Sequence, residues 1–446
     1  MALFVYIFTL IHYYLNMSIR SKRKNKGYSQ SEIATKLGVP LRTYKRYELT
    51  DESNHTYKHD LLESKIDELP KKSIRQNINR ETIGVIGAGN VGYPLGILLS
   101  ERNRVIFIES NKSKVEKINK GIPLVDNIFI NTYALKTKAS SDIKTLNYCD
   151  SIIIALPTEY DENIKRFNTE KIEEYISYIS KNNPKATIVI KSTVPIGFTK
   201  KISKEYNNLE IIFSPEFLRE DHSFDDTQYP DRIIFGVKRI NLKNKRMAIV
   251  FENITNNATK TTFMSYEEAE AVKLFSNSFL AMRIAFMNEI DSFALKNNLD
   301  ASKIIKGMCQ DSRIGDFYNN PSFGFGGHCF PKDTKQLSSS LKDSTLINAV
   351  VESNEVRAKI IAKEIMNKCT KESTIGFYKT KNKNSAAQSV ASILFNKGYN
   401  VLFFENGDES TLEEFIKKSD LIIANRIDER ISKYKEKVFT RDLFRD

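Results

Sequence analysis

Cys329 stands inside the segment Phe323-Gly-Phe-Gly-Gly-His-Cys-Phe-Pro-Lys-Asp-Thr334, with Gly324, Gly326 and Gly327 ahead of it and Lys332 and Asp333 just behind. Glycines let the backbone take left-handed angles and approach a ligand closely. A cation a few residues from a thiol favours the thiolate, which is the nucleophilic form. The segment therefore suits covalent thiol chemistry. It equally fits a glycine-rich surface turn with a half-buried free cysteine, so the remainder of the chain has to decide.

A second segment, Gly87-Ala-Gly-Asn-Val-Gly92, follows an apolar run ending at Ile86 and opens a helical pattern through Leu99. That context makes it a dinucleotide fingerprint. Gly87 turns the chain, Gly89 admits a pyrophosphate and Gly92 lets helix pack on strand, with Asn90 and Val91 between them. Glu109 ends the next strand, 22 residues after Gly87, placed to accept hydrogen bonds from ribose hydroxyls. A carboxylate there would repel a 2′-phosphate, so NAD is expected rather than NADP.

These residues need a scaffold, and the chain is long enough to build one. At 446 residues it exceeds what one core usually supports. Hydrophobic content of 41% is ample for packed cores, and no run reaches the roughly 18 apolar residues of a membrane span. Four scattered cysteines with no CxxC pair argue for a reducing cytoplasm and against a disulfide framework or a metal site. The net charge of +13 is uneven: residues 1–50 hold nine Lys/Arg against Glu32 and Glu48, a local excess of +7.

Residues 1–16 form an apolar segment too short to span a bilayer and poor as a signal peptide; a peripheral anchor, a packed helix or a true start at Met17 are its open readings. In 17–81, the stretch Tyr28–Glu48 reads as helix, turn, helix. Ser29 caps the first helix, Glu32 completes a capping box and Gly38 makes the turn. It resembles the helix-turn-helix of phage-repressor-type domains, whose second helix would offer Arg42, Thr43, Lys45 and Arg46 to DNA. A mere packing module is the competing reading, and a charged linker follows.

Strands are expected at Thr82–Ile86, Arg104–Ile108, Ser151–Leu156, Thr187–Ile190, Glu210–Phe213 and Arg232–Gly236, alternating with helices. A helix free of Gly and Pro runs from Ser265 to about Lys296, long enough to bridge domains or form a dimer seam. Strands at Thr374–Tyr378, Asn400–Glu405 and Asp420–Asn425 resume the alternation. The fold class is thus α/β: two Rossmann-like doubly wound domains joined by a long central helix, plus a small all-α helix-turn-helix-like N-terminal segment. The expected division is an NAD-binding Rossmann domain at 82–262, a central helical domain with the cysteine loop at 263–366, and a smaller C-terminal α/β domain at 367–446.

Lys191-Ser-Thr-Val-Pro195, Ser214-Pro-Glu-Phe-Leu-Arg-Glu220, Glu270-Ala-Val-Lys-Leu-Phe-Ser-Asn277, Tyr318-Asn-Asn-Pro-Ser322 and Gly326–Thr334 follow in a fixed order. Together, from about Thr82 to the C-terminal Thr440–Phe444, they resemble the UDP-glucose 6-dehydrogenases of the UDP-glucose/GDP-mannose dehydrogenase family. That resemblance implies NAD-dependent oxidation of a sugar C6 alcohol to a carboxylate without release of the aldehyde. It makes Cys329 the nucleophile forming a thiohemiacetal and then a thioester. Lys273 and Asn277, one helical turn apart, would face the C6 oxyanion, and Asp333 would hold Lys273 or a water. Glu220 and Thr193 would position the hydrolytic water and edge the nicotinamide.

On the same basis Glu216, Phe217, Leu218, Arg219 and Glu220 would line the sugar-nucleotide pocket, with Tyr318, Asn319, Asn320, Pro321, Ser322 and Gly326 offering donors to the diphosphate. Arg283 would reach a phosphate, in a partner subunit if the central helix makes a homodimer. Lys114, Thr158 and Lys332 would contact the cofactor. One departure is the loop Lys379-Thr-Lys-Asn-Lys-Asn-Ser385, shorter than the family's and without its arginine, which leaves Lys381 or Lys383 to substitute. The resemblance implies UDP-glucose as substrate, for a surface-polysaccharide precursor, with a UDP-N-acetylmannosamine dehydrogenase as the near alternative. A DNA-binding regulator using the dehydrogenase body as a sensor is the alternative of another class.

Overall fold

The computed structural model describes residues 19–26, 28–48, 62, 64–66, 79–125, 136–219, 222–255, 259–341, 343–379 and 386–444. The apolar 1–16 segment, Glu220, Lys381 and Lys383, on which expectations were placed, lie outside those residues, as does the side chain of Glu32. The chain divides into two compact units. One takes the described residues up to Thr158 together with Thr169–Glu270, and the other takes Glu159–Asn168 with Ala271 onward.

The helices used below are α1 (Ile19–Lys26), α2 (Gln30–Leu37), α3 (Leu41–Glu48), α4 (Gly92–Leu99), α5 (Phe198–Glu205), α6 (Ser223–Gln228), α7 (Tyr266–Lys296), α8 (Cys329–Ser340) and α9 (Thr345–Met366).

The first unit carries an eight-stranded sheet: β1 (Thr82–Ile86), β2 (Arg104–Ile108), β3 (Lys138–Ser140), β4 (Ser151–Ile154), β7 (Thr187–Ile190), β8 (Glu210–Phe213), β9 (Ile233–Gly236) and β10 (Thr261–Met264). Its order is β3-β2-β1-β4-β7-β8-β9-β10. All neighbours run parallel except β8 and β9, which meet antiparallel at Phe213 and Gly236. The strands β4 (SIII) and β7 (TIVI) are buried along their whole length, which is why they read as unbroken apolar runs rather than as alternation. The order reverses at β1, so the loops after β1 and β4 lie where such sheets bind their ligands.

At the start of this unit, α1, α2 and α3 close over a small core of Ile19, Tyr28, Ile33, Ala34, Tyr44, Leu62 and Ile66. Ser29 precedes α2 as its sequence position demands, and Gly38 makes the turn at φ +68°. Glu48 is buried and receives Arg23, the Tyr44 hydroxyl at 2.8 Å and Gln30 at 2.6 Å, so its charge is fully partnered.

Helix α7 begins with a capping box: the Ser265 N–H donates to the Glu268 carboxylate at 2.7 Å, and the Ser265 hydroxyl oxygen accepts from the Glu268 N–H at 3.3 Å. With no Gly or Pro inside, it continues for 31 residues. It ends where Asn298 turns left-handed at φ +52° and the Leu299 N–H returns to the Ala294 carbonyl at 2.8 Å.

The second unit holds β5 (Tyr160–Asp161) and β6 (Arg166–Phe167) as a two-stranded antiparallel hairpin, and a parallel sheet in the order β12-β11-β13-β14. The latter strands are β11 (Thr374–Tyr378), β12 (Asn400–Phe404), β13 (Leu421–Ala424) and β14 (Val438–Phe439). The Asp291 carboxylate of α7, fully buried, ties this unit together through Arg357 of α9 and Arg441 of the C-terminal segment.

Candidate functional site

The glycine fingerprint folds as its spacing requires. Gly87 has φ +94° and its N–H donates to the Ile108 carbonyl at 2.9 Å; a Cβ there would lie 2.6 Å from the Ala155 carbonyl oxygen. A Cβ at Gly92 would fall 2.0 Å from the Gly87 oxygen, so α4 can sit against the turn only with hydrogen at that position. Gly89 differs: nothing in the chain lies within 4 Å of where its Cβ would be. Its bareness leaves room for a ligand rather than for the protein, which fits the close approach of a pyrophosphate.

Glu109 accepts from the Ala88 and Asn111 N–H groups, both at 3.0 Å. Burial raises its carboxyl, but the Asn111 and Ala88 hydrogen bonds with Lys114 close by outweigh that and hold it below the ordinary value. It is therefore an ionised acceptor at the end of β2. Lys114 donates to the Ala88 carbonyl at 3.2 Å, placing its ammonium beside the turn. The donor set suits an NAD adenosine and pyrophosphate, with Asn90 and Val91 between the glycines at the head of α4. Thr158 is buried and donates to the Thr193 carbonyl at 2.7 Å, so the loops after β4 and β7 are locked together.

The loop after β8 is also held from within. Lys191 is buried; its ammonium lies 2.7 Å from Glu216 and 3.4 Å from both the Ser214 hydroxyl and the Pro215 carbonyl. The Phe217 ring lies under the Arg232 guanidinium at 3.7 Å. Arg219 is clamped by Asp226 through Nε at 3.0 Å and a terminal nitrogen at 2.6 Å. Leu218 lies between these two anchored residues.

In the second unit, Cys329 is the first residue of α8 and is exposed. His328 before it makes no side-chain cap, so the first-turn N–H groups and the positive end of the helix dipole face the sulfur's end, where negative charge is favoured. Pro331 fits the first turn, which needs no N–H there. One turn along, Asp333 is wholly buried, accepting from Asn277 at 2.6 Å and from Lys332 at 2.8 Å. Lys273 and Asn277 lie one turn apart on α7 and are both buried. The sequence placed Asp333 against Lys273 or a water; in the structure it holds the Asn277 amide and the Lys332 ammonium. Lys332 also sits over the Phe167 ring at 4.5 Å, inside the protein wall.

The 318–327 loop is held by several side chains of its own unit. Tyr318 adopts φ +52° and packs against Phe330 at 6.1 Å. Asn319 approaches Asp316 at 3.4 Å, and Asn320 donates to Asp442 at 2.7 Å. Pro321 receives Arg426 at 2.9 Å, and the Ser322 N–H reaches Asn288 at 2.8 Å. Gly326 then leads through Gly327, at φ +81°, into Cys329. Arg283 is spent on the carbonyls of Phe317, Ile314 and Gly315, the last two at 2.8 and 2.7 Å, so it fixes the approach to this loop. Sequence reasoning missed Lys191 and Asp226 as partners of the post-β8 loop; Lys191 stood inside a quoted motif, and its register at the end of a buried strand was the available signal.

The UDP-glucose/GDP-mannose dehydrogenase NAD-binding domain matches residues 81–255, the central domain of that family matches 267–356, and a helix-turn-helix model matches 19–49. A UDP-glucose 6-dehydrogenase of Campylobacter jejuni is 39% identical over 392 residues, covering 81% of this chain and 98% of its own. One from Streptococcus pneumoniae is 37% identical over 394 residues, covering 81% and 99%. A solved UDP-D-ManNAc dehydrogenase of Pyrococcus horikoshii shares the fold at TM-score 0.69 and 21% identity, covering 80% of this chain and 93% of that one.

Proposed function

The chain belongs to the UDP-glucose/GDP-mannose dehydrogenase family, and from that premise we propose that it oxidises the C6 alcohol of UDP-glucose to a carboxylate, trapping the aldehyde on Cys329. The observation that carries this reading is the head of α8: an exposed thiol at the helix start, with Asp333 one turn on joined to the α7 residue Asn277 at 2.6 Å. NAD supplies the two hydride acceptances, and Gly87, Gly89, Gly92, Glu109 and Lys114 are the residues that would hold it. The Cys329 thiolate adds to the aldehyde carbon, and the alkoxide takes a proton to give a thiohemiacetal. Oxidation of that adduct leaves a thioester, which water cleaves to carboxylate and thiol. Lys273 and Asn277 would meet the C6 oxyanion, with Thr193 and Glu220 placing the water.

Glucose is favoured because the two relatives at 37–39% identity are UDP-glucose 6-dehydrogenases, while the fold is shared with an enzyme named for UDP-D-ManNAc and so does not choose the sugar. Incubation of purified protein with NAD and a panel of nucleotide sugars tests this. NADH should form most strongly with UDP-glucose, and formation only with an N-acetylated sugar would overturn the choice. The product fits a precursor of surface polysaccharide, and four cysteines that form no disulfide with one another fit a reducing cytoplasm.

Phe275, Phe279, Phe286 and Phe293 lie exposed along α7 at spacings of four and seven residues, which favours a homodimer seam on that helix. A DNA-binding role for the N-terminal module is favoured by the exposed Arg42, Lys45 and Arg46 on α3. Retention of the full chain on duplex DNA, lost with rising salt and absent when the chain is cut before Thr82, tests that reading. No retention at low salt would remove it.

A further inference from the structure

Lys24 looks like one of several lysines in a basic run, yet it is 7% exposed, and its ammonium donates to the Tyr229 carbonyl, 205 residues away, at 2.8 Å. The same ammonium lies 5.6 Å from the Tyr229 ring. One turn earlier on α1, Arg20 faces Asp231 at 3.7 Å. Helix α1 thus grips the Tyr229–Asp231 turn at two points, and the basic residues of α3 remain outside the contact.

What hangs from that turn matters. On its near side, α6 supplies Asp226, which clamps the Arg219 guanidinium and also accepts the Arg219 N–H at 2.9 Å. On its far side is Arg232, stacked on the Phe217 ring at 3.7 Å. The carbonyl of Pro230 is itself held by Thr259 at 2.7 Å. The props at Phe217 and Arg219 therefore belong to the short segment 223–232, and Lys24 fixes the turn inside it.

We propose that Lys24 of the appended helix-turn-helix module is a positioning residue for the dehydrogenase, bracing the 223–232 segment so that Phe217 and Arg219 are held ready for the sugar nucleotide. This rests on the reading of Phe217 and Arg219 as sugar-nucleotide contacts given above. A charged donor makes a stronger hydrogen bond than a neutral one, and this one is part-buried with the lysine itself 7% exposed. Burial, then the neighbouring Arg20 charge, lowers the Lys24 ammonium to about 8, so it is a cation at neutral pH and the brace is charge-assisted there. The module serves the enzyme in cis, whatever else α3 contacts.

The test uses the full chain. Lys24→Met, Lys24→Arg and Arg20→Ala are compared with the parent in steady-state kinetics with UDP-glucose and NAD, and in hydrogen exchange at residues 216–219. Lys24→Met is expected to raise the KM for UDP-glucose about tenfold, leave the KM for NAD unchanged and speed exchange at 216–219, with Lys24→Arg restoring most of both. Arg20→Ala, at a more exposed side chain, should give the same pattern more weakly, which keeps the test valid if Lys24→Met fails to fold. Unchanged exchange at 216–219 in both Lys24→Met and Arg20→Ala overturns the proposal. Faster exchange with an unmoved UDP-glucose KM overturns the sugar-contact assignment of Phe217 and Arg219, and with it the proposed consequence of the brace.

Discussion

Asn277 of α7 donates its amide hydrogen to Asp333 of α8 at 2.6 Å, across 56 residues of chain. The Asp333 carboxylate has no exposure to water, and its other oxygen takes the Lys332 ammonium at 2.8 Å. One buried acid thus joins the helix that carries Lys273 to the helix that begins with Cys329.

Asp333→Ala should therefore cost both stability and rate. It strands a buried ammonium and a buried amide, and breaking one side of such a pair costs about 3–5 kcal/mol. Urea unfolding of the variant measures this, with Asp333→Asn expected to lose less because it keeps an acceptor for one donor. A loss under about 1 kcal/mol in Asp333→Ala would mean that water replaces the carboxylate freely.

The three fingerprint glycines should separate by mechanism. Gly92→Ala puts a methyl 2.0 Å from the Gly87 oxygen and should destabilise the fold. Gly89→Ala meets no atom of the chain within 4 Å, so its thermal unfolding should match the parent while NAD affinity falls about tenfold or more. Calorimetry and an NAD titration on the two variants read both effects. Normal NAD affinity in Gly89→Ala would move the pyrophosphate elsewhere.

Glu270, wholly buried on α7, accepts from the N–H groups of Gly197 and Thr199 at 2.6 and 2.8 Å and so caps α5. Burial pushes its carboxyl up to about 7 from an ordinary 4.5. Between those values the native state binds the proton that the unfolded chain has released, so this group's contribution to stability declines as pH rises from about 4.5 to about 7 and is smallest above that. Melting temperatures of Glu270→Gln and the parent across that range should diverge in slope, the parent falling more steeply with rising pH. Parallel profiles would show that Glu270 does not titrate there.

Much of this architecture was legible because parallel strands buried on both faces announce themselves as apolar runs: Thr187–Ile190 and Thr374–Tyr378 stand where the sequence placed them. The strand expected to reach Leu156 ends at Ile154, where the chain turns out towards Thr158. Lys138–Ser140, Thr261–Met264 and the Tyr160–Phe167 hairpin carried no such run, being short and rich in polar residues. At the site, spacing along one helix revealed the shared face of Lys273 and Asn277. It could not reveal that Asp333 meets Asn277, because partners 56 residues apart leave no local pattern. Lys24 was hidden for the opposite reason: a lysine among lysines looks solvated, and only the fold buries it.

The central claim is that Cys329 holds the sugar covalently between the two oxidations. Counting NADH released per UDP-glucose consumed, for the parent chain and for Cys329→Ser, tests it most directly. Two NADH per sugar from the parent, and at most one from Cys329→Ser with NAD and UDP-glucose binding retained, is the expected result. Two per sugar from Cys329→Ser at a near-parent rate would contradict it.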